Sequence, residues 1–302
     1  MSDPFACSDL AAQSRYVYAK AAAADGDWRA AADVLEQALE RAPAWPPALF
    51  ALGEARNKLG DAEGAAAAFR ASLAADPGDR QGAAARLGLL GATAAPASLP
   101  PAYVARLFDD YAHRFDKHLM EGLGYRGPAL IAAALDAVAP GRRFAAALDL
   151  GCGTGLASVA LRARADRLAG VDLSPAMVAQ ARALQVYDDV EVGEIVAHLQ
   201  RFGQAFDLIV AADALVYFGA LDEVFVATAH ALAPDGLFVF TAESFVGEGF
   251  RLGATMRFSH ARAYVETTAA AVGLRPLAMR EAWARREAGK DVSGVVCVFA
   301  SA

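Results

Sequence analysis

Asp149-Leu150-Gly151-Cys152-Gly153-Thr154-Gly155 sets three glycines at alternating positions beside a carboxylate. Glycine lets the backbone turn sharply and approach a ligand closely. In an open parallel sheet, the carboxyl end of the first strand is where cofactors bind. Asp172 follows about 20 residues later, the spacing at which an acidic side chain accepts hydrogen bonds from ribose hydroxyls. The chemistry suggested is the holding of a nucleoside cofactor. A dinucleotide is disfavoured, because G-x-G-x-x-G would need glycine at 156, where Leu156 stands. Cys152, in the middle of the loop, admits two readings, a nucleophile or a small packing residue.

Other chemistries find less support. His113, His118, His198, His230 and His260 are scattered, with no H-E-x-x-H and no clustered ligand spacing, so no metal is expected. Cys7, Cys152 and Cys297 form no CxxC and are odd in number, which argues against a disulfide framework and a cysteine-rich zinc site.

The elements that must position the loop follow from periodicity. From about residue 144, short β-rich runs (FAAALDL, LAGVD, VEV, FDLIVAAD, GLFVFTAE) alternate with helical ones. That alternation predicts a parallel, doubly wound α/β sheet. The glycine loop falls between the first strand and the helix after it, and Asp172 ends the second strand.

The whole chain has 302 residues, about twice the ~150-residue domain prior. Hydrophobic residues make up 56% and charged ones 21%, with mean hydropathy +0.27, which predicts a folded chain rather than a disordered one. No apolar stretch reaches the ~18 residues needed to cross a bilayer. The N-terminal MSDPFACSDL lacks the basic and apolar regions of a signal peptide. A cytoplasmic protein without membrane contact is expected. The net charge of −7 is spread as −3 over residues 1–100 and −4 over the remainder. No basic stripe is visible, so nucleic acid is an unlikely partner.

DGDWRAAADVLEQALERAP (25–43) lies over LGDAEGAAAAFRASLAADP (59–77) at an offset of 34. Gly26 and Gly60, Ala31 and Ala65, Leu35 and Phe69, and Pro43 and Pro77 coincide. This period and pattern resemble the tetratricopeptide repeat, a helix-turn-helix unit. The resemblance implies a helical domain over 1–92, with 80–91 as an unpaired capping helix, that recruits a protein partner or self-associates. The Ala-, Pro- and Ser-rich 93–101 is then the linker.

The second part, 102–302, resembles the class I S-adenosylmethionine-dependent methyltransferases, whose first motif is written DLGCGTG. The resemblance implies a Rossmann-like, seven-stranded sheet with one antiparallel strand, leading lid helices over about 102–140, and S-adenosylmethionine as cofactor, released as S-adenosylhomocysteine. It assigns the loop (Asp149, Gly151, Cys152, Gly153, Thr154, Gly155, Leu156) to the cofactor, with Cys152 as packing. It further assigns Asp172 to the ribose, Leu173 and Met177 to the surroundings of the adenine, Glu194 and Ile195 to the adenine edge, and Asp213 and Ala214 to the methionine part. Residues 104–128 and 257–274 resemble the leading and trailing segments of a bacterial group of methyltransferases with N-terminal tetratricopeptide regions. Base-methylating enzymes carry an Asn-Pro-Pro-Tyr or Asp-Pro-Pro-Tyr run after the fourth strand, whereas this chain has Asp213-Ala214-Leu215-Val216.

Methyl transfer from a sulfonium needs a placed nucleophile and the exclusion of water. Tyr111, Phe115 and His118 recur at helical spacing and are expected on one face of a lid. Tyr125, Tyr217, Glu243, Arg257 and His260 are the other polar residues expected to point inward. Of these, Tyr217, Arg257 and His260, with His118 from the lid, are the catalytic candidates: Arg257 as a partner for an acceptor carboxylate, His260 as a base. The reaction expected is transfer to a small-molecule acceptor. The alternatives are a protein or carrier-bound substrate docked by the repeats, and a binding protein without catalysis.

Overall fold

Asp27 and Asp61, 34 residues apart, each start a helix in the same way. Asp27 accepts a hydrogen bond from the Ala30 N–H at 3.0 Å and Asp61 one from the Gly64 N–H at 2.8 Å, covering a donor that the first helical turn leaves open. In both cases the preceding glycine sits at φ +83°, left-handed backbone that favours glycine. The computed structural model describes residues 7–117, 119, 122–287 and 289–301. Its first helices are α1 (Leu10–Ala24), α2 (Trp28–Arg41), α3 (Pro46–Lys58), α4 (Ala62–Ala75) and α5 (Ala83–Leu89). They form two helical hairpins, α1–α2 and α3–α4, with α5 following. Ala31 and Ala65 are fully buried where the helices approach. Gly53 on α3 lies against Phe69 on α4 so closely that a Cβ there would stand 2.5 Å from the ring.

The chain divides into two units, Met1–Tyr103 and Val104–Ala302. The second is built on one sheet with strands β1 (Phe144–Leu150), β2 (Ala165–Asp172), β3 (Asp189–Val192), β4 (Phe206–Ala211), β5 (Leu232–Ser244), β6 (Phe250–Leu252), β7 (Phe258–His260), β8 (Arg275–Glu287) and β9 (Lys290–Ala300). The order β3-β2-β1-β4-β5 is parallel throughout. β9 then runs antiparallel to β5 from Leu237 to Glu243, and β8 lies outside β9.

The expectation of seven strands is corrected to nine among the described residues. The two additions, β6 and β7, are three residues each and pair with one another and with Glu243 and Ser244 at the end of β5. Elements this short carry no periodicity to read. Because β9 covers the other side of β5 as far as Glu243, β7 sits on the β4 side, just beyond the point where β4 ends.

Both faces of the sheet are covered. On one, Phe225 of the helix Asp222–Ala231 packs among Phe238, Phe240 and Phe299, all fully buried. On the other, Ile131 and Leu135 of the helix Gly127–Val138 cover Leu208, Val210, Val239 and Val298. A fully buried side chain of this size contributes about 1.5–3 kcal/mol, so the two layers hold the strand ends, where the polar residues gather, in fixed places.

Candidate functional site

The turn leaving β1 is shaped by three glycines in left-handed backbone. Gly151, Gly153 and Gly155 stand at φ +63°, +55° and +95°. A Cβ on Gly151 would also come 2.7 Å from the Cβ of Ala214, just after β4. The loop is therefore pressed against the end of the neighbouring strand, with backbone exposed where a ligand can approach.

Asp172, at the end of β2, is 8% exposed and aimed by two backbone donors. The Gly153 N–H donates to its Oδ2 and the Ser174 N–H to its Oδ1, both at 2.9 Å. Burial raises the carboxyl above its usual range, and these two bonds oppose the rise. Asp149 is almost fully buried and accepts from the Tyr187 hydroxyl at 2.8 Å. Burial pushes it up to about 7, against the Tyr187 bond and with help from the Asp172 charge. Cys152 packs with Val178, Ala181 and Val190, and burial holds its thiol well above its ordinary value, which favours packing over nucleophilic attack.

Ser174 and Glu194, the latter an expected contact residue, have helix-capping work. Ser174 accepts from the Met177 N–H ahead of the helix Pro175–Ala183. Glu194 accepts from the Ala197 N–H at 2.7 Å, capping the helix Ile195–Leu199. Leu173 is half-buried, while Met177 and Ile195 are buried. Leu156, which closes the loop, is half-buried.

The leading segment lies over the glycine loop. The Thr154 hydroxyl donates to Asp116 and the Ser174 hydroxyl to Asp109, both at 2.5 Å. Phe115 reaches to 3.8 Å from where a Gly153 Cβ would stand. Tyr111 and Phe115 meet edge to face, but they do not share one helical face as expected. The helix Pro101–Tyr111 gives way to a tight turn, Ala112–Arg114, whose Ala112 carbonyl is taken by the Gln180 side chain at 2.8 Å. His118 lies outside the described residues.

Beyond β4 lies an ion-pair network. Asp213 adopts φ +63°, which aspartate tolerates better than most residues. Arg257, just before β7, donates through Nε to Glu243 at 2.6 Å, through one Nη to Asp213 at 2.5 Å, and through the other to the Tyr217 hydroxyl at 3.2 Å. Burial works against the guanidinium charge, and the neighbouring Asp213, Tyr217 and Glu243 overcome it. The expectation that Arg257 pairs with an acceptor carboxylate is replaced by this finding: three of its nitrogens are already engaged by the protein.

Residues 147–236 match the family model described as a methyltransferase domain. The second unit carries a methyltransferase domain. Among solved structures, the chain resembles the Burkholderia thailandensis 1,6-didemethyltoxoflavin-N1-methyltransferase, solved with 1,6-didemethyltoxoflavin and S-adenosylhomocysteine, at 18% identity and TM-score 0.53 over 69% of this chain and 93% of that one. At that identity the likeness is one of fold. It also resembles the N-methyltransferase NodS from Bradyrhizobium japonicum WM9 with S-adenosylhomocysteine, at 19% identity and TM-score 0.45, covering 58% and 85%. A third is a TehB-like SAM-dependent methyltransferase from Corynebacterium glutamicum, at 25% and 0.47, covering 65% and 99%. No curated protein sequence matches this chain.

Within the methyltransferase domain, several polar and aromatic residues escaped the sequence reading. Phe108 stands edge to face against both Phe115 and Tyr217. Asp109, Asp116 and Gln180 fasten the leading segment, and Tyr187 partners Asp149. The acids of FDDY and FDK, seven positions apart near the lid, were the only signal for Asp109 and Asp116. Arg285, 7% exposed, donates to Glu243 at 3.1 Å and to Glu287 at 3.2 Å.

His260 is buried, with Nε2 donating to the Phe218 and Gly219 carbonyls at 2.9 and 3.1 Å. Burial pushes its imidazole down to about 4. The ring pins β7 to the segment after β4, while its other nitrogen, Nδ1, is buried and has no partner among the described residues. Tyr125 is buried and donates to the Ala212 carbonyl at 3.4 Å; burial holds its phenol well above its ordinary value, so it is neutral at pH 7. Among the described residues, no group of His, Cys, Asp and Glu is arranged to hold a metal ion, and no helix is long and apolar enough to cross a membrane.

Proposed function

We propose that this protein is an S-adenosylmethionine-dependent methyltransferase acting on a small-molecule acceptor. The observation that carries the reading is the Asp172 carboxylate, fixed by the Gly153 and Ser174 N–H groups beside a turn whose Gly151 and Gly155 leave no room for a Cβ. Each oxygen of Asp172 accepts one backbone bond and keeps capacity for another, which suits the paired hydroxyls of a ribose. Asp149 and Asp213 stand at the ends of adjacent strands on either side of the loop. When bound, the cofactor supplies a methyl group on an activated leaving sulfur.

The residues of the chain then have definite tasks. Asp172 orients the ribose, and the glycine turn admits the cofactor's body. Glu194, through the carboxylate oxygen not engaged in capping, together with Ile195, borders the adenine. The Phe108–Tyr111–Phe115 segment covers the site and excludes water, which strengthens every polar interaction beneath it. Asp213, Tyr217, Glu243 and Arg257 form a rigid wall on the acceptor side. His260, with its imidazole pushed down to about 4 by burial, is a weak base.

The two helical hairpins at a 34-residue offset support reading the first unit as a tetratricopeptide-like scaffold for a partner or for self-association.

Isothermal titration tests the central reading. S-adenosylhomocysteine should bind, and Asp172→Ala should weaken it by about 1–3 kcal/mol through lost charge-assisted hydrogen bonds. Binding of NAD in its place, or an Asp172→Ala variant with unchanged affinity, would overturn it.

A further inference from the structure

Phe108-Asp109 and Phe115-Asp116 are the same pair of residue types seven positions apart, with a tight turn between them at Ala112–Arg114. Unbroken helix would put the two pairs on one face. The turn parts them, so that each aspartate reaches a different loop. Asp109 meets the loop after β2, where its Oδ1 takes the Ser174 hydroxyl at 2.5 Å and the Ala176 N–H at 3.2 Å. Asp116 meets the turn after β1 through the Thr154 hydroxyl at 2.5 Å. Between them the Gln180 side chain donates to the Ala112 carbonyl at 2.8 Å. The two phenylalanine rings meet edge to face, with centroids 5.8 Å apart. The result is a strap across both loops, fastened at each aspartate and at Ala112.

The two sides of each fastening differ. Ser174 and Thr154 are 0% and 4% exposed, whereas Asp109 and Asp116 are exposed. Ser174 is also fixed from elsewhere, its N–H going to Asp172 and its hydroxyl oxygen accepting from the Met177 N–H. The strap is therefore the side that lets go. Water competes for its exposed carboxylates. Like charge opposes the contact as well, since Asp109 adds to the rise of the Asp172 carboxyl. Hydrogen bonds that close the strap are set against solvent and charge, the balance expected of a contact that opens and recloses.

We propose that the two Phe-Asp pairs are the clasps of a gate that governs how fast the cofactor enters and leaves, and not how tightly it is held. This rests on the methyltransferase reading, which puts the cofactor on the two loops that the strap crosses. The clasps join protein to protein. A contact that is the same with the cofactor bound or unbound shifts neither end state. It changes the barrier between them, as lids do.

Surface plasmon resonance with S-adenosylhomocysteine over immobilised full-length protein separates the two quantities. Asp109→Ala and Asp116→Ala should each raise the association and dissociation rates together by about fivefold, the scale of one exposed hydrogen bond, with Kd within about twofold of wild type. Asp110→Ala, which removes an exposed acid paired with Arg106, should leave both rates unchanged. Should an alanine variant not fold, Asp109→Asn, which keeps an oxygen for Ser174 and gives up the charge, should raise both rates in the same proportion by a smaller factor. Faster dissociation with association unchanged would make the aspartates part of the binding surface, and unmoved rates would leave the strap without a gating role; either result overturns the gate. Failure of S-adenosylhomocysteine to bind wild-type protein overturns the methyltransferase reading instead. Amide hydrogen exchange on the protein alone then reads the clasps directly: Asp109→Ala should quicken exchange across 104–112, and unchanged exchange there overturns the strap.

Discussion

Phe108 and Tyr217 meet edge to face, with ring centroids 5.5 Å apart and planes at 89°. The contact joins the leading helix to the turn after β4, and Phe108 passes it on to Phe115 over the glycine loop. Aromatic pairs of this kind are worth about 0.5–1.5 kcal/mol each beyond area burial. Phe108→Ala removes two of them. Amide hydrogen exchange across 104–117 in the S-adenosylhomocysteine complex should then quicken about tenfold, the rate equivalent of roughly 1.4 kcal/mol. Unchanged exchange would mean that the segment is held by its hydrogen bonds to Ser174, Thr154 and Gln180 rather than by its rings.

Arg257 is the stability-critical residue of the ion-pair network beyond β4. Arg257→Leu leaves Asp213 and Glu243 buried without their main counter-charge, and should destabilise the fold by about 3–5 kcal/mol. Denaturant titration would show the midpoint falling, and adding Asp213→Asn and Glu243→Gln should restore much of the loss. A midpoint within error of wild type would mean that solvent reaches the network.

Two buried groups give opposing pH dependences. The folded-state value of His260, about 4, lies below its usual 6.5. Its stabilising contribution is complete above 6.5 and is lost as pH falls towards 4, by about 3 kcal/mol in all. Asp149, raised from 3.8 to about 7, does the reverse: its contribution is complete below 3.8 and is lost as pH rises through 7. Between pH 4.5 and 6.5, His260→Gln should therefore lower the slope of stability against pH relative to wild type, and Asp149→Asn should raise it. Parallel curves for the three proteins would refute both assignments.

Cys152 should behave as packing. Iodoacetamide should modify the half-buried Cys7 well before Cys152, whose thiol is buried. Cys152→Ala should leave S-adenosylhomocysteine affinity within about threefold, since no charged hydrogen bond is removed. Rapid labelling of Cys152 at neutral pH would count against that reading.

What could be read from the chain divides along physical lines. The glycine turn was legible because a tight, left-handed turn pressed against a neighbouring strand demands glycine at a fixed spacing, and Asp172 because it ends the next strand about 20 residues on. So was the 34-residue offset, where Asp27 and Asp61 repeat a cap. The Tyr187–Asp149 and Phe108–Tyr217 contacts were not, since they join residues far apart in sequence through ordinary packing. Arg285 was hidden for a sharper reason. Strict alternation along β8 puts Ala282 and Ala284 on one side and Arg285 on the other, and only the register break reverses it. Arg257 was noticed, but its partners were not, because β7 is too short to predict and it is β7 that brings Arg257 to Asp213.

The pairing of β8 with β9 breaks between Trp283 and Arg286, so that Ala284 and Arg285 together face the single Val292. Deleting Arg285 would restore regular pairing, with Ala284 opposite Val292 and Arg286 still opposite Asp291, and would take one positive charge from beside Glu243 while leaving β1, β2 and the glycine turn untouched. A single codon deletion thus separates the charge balance around Glu243 from the shape of the turn that follows β1.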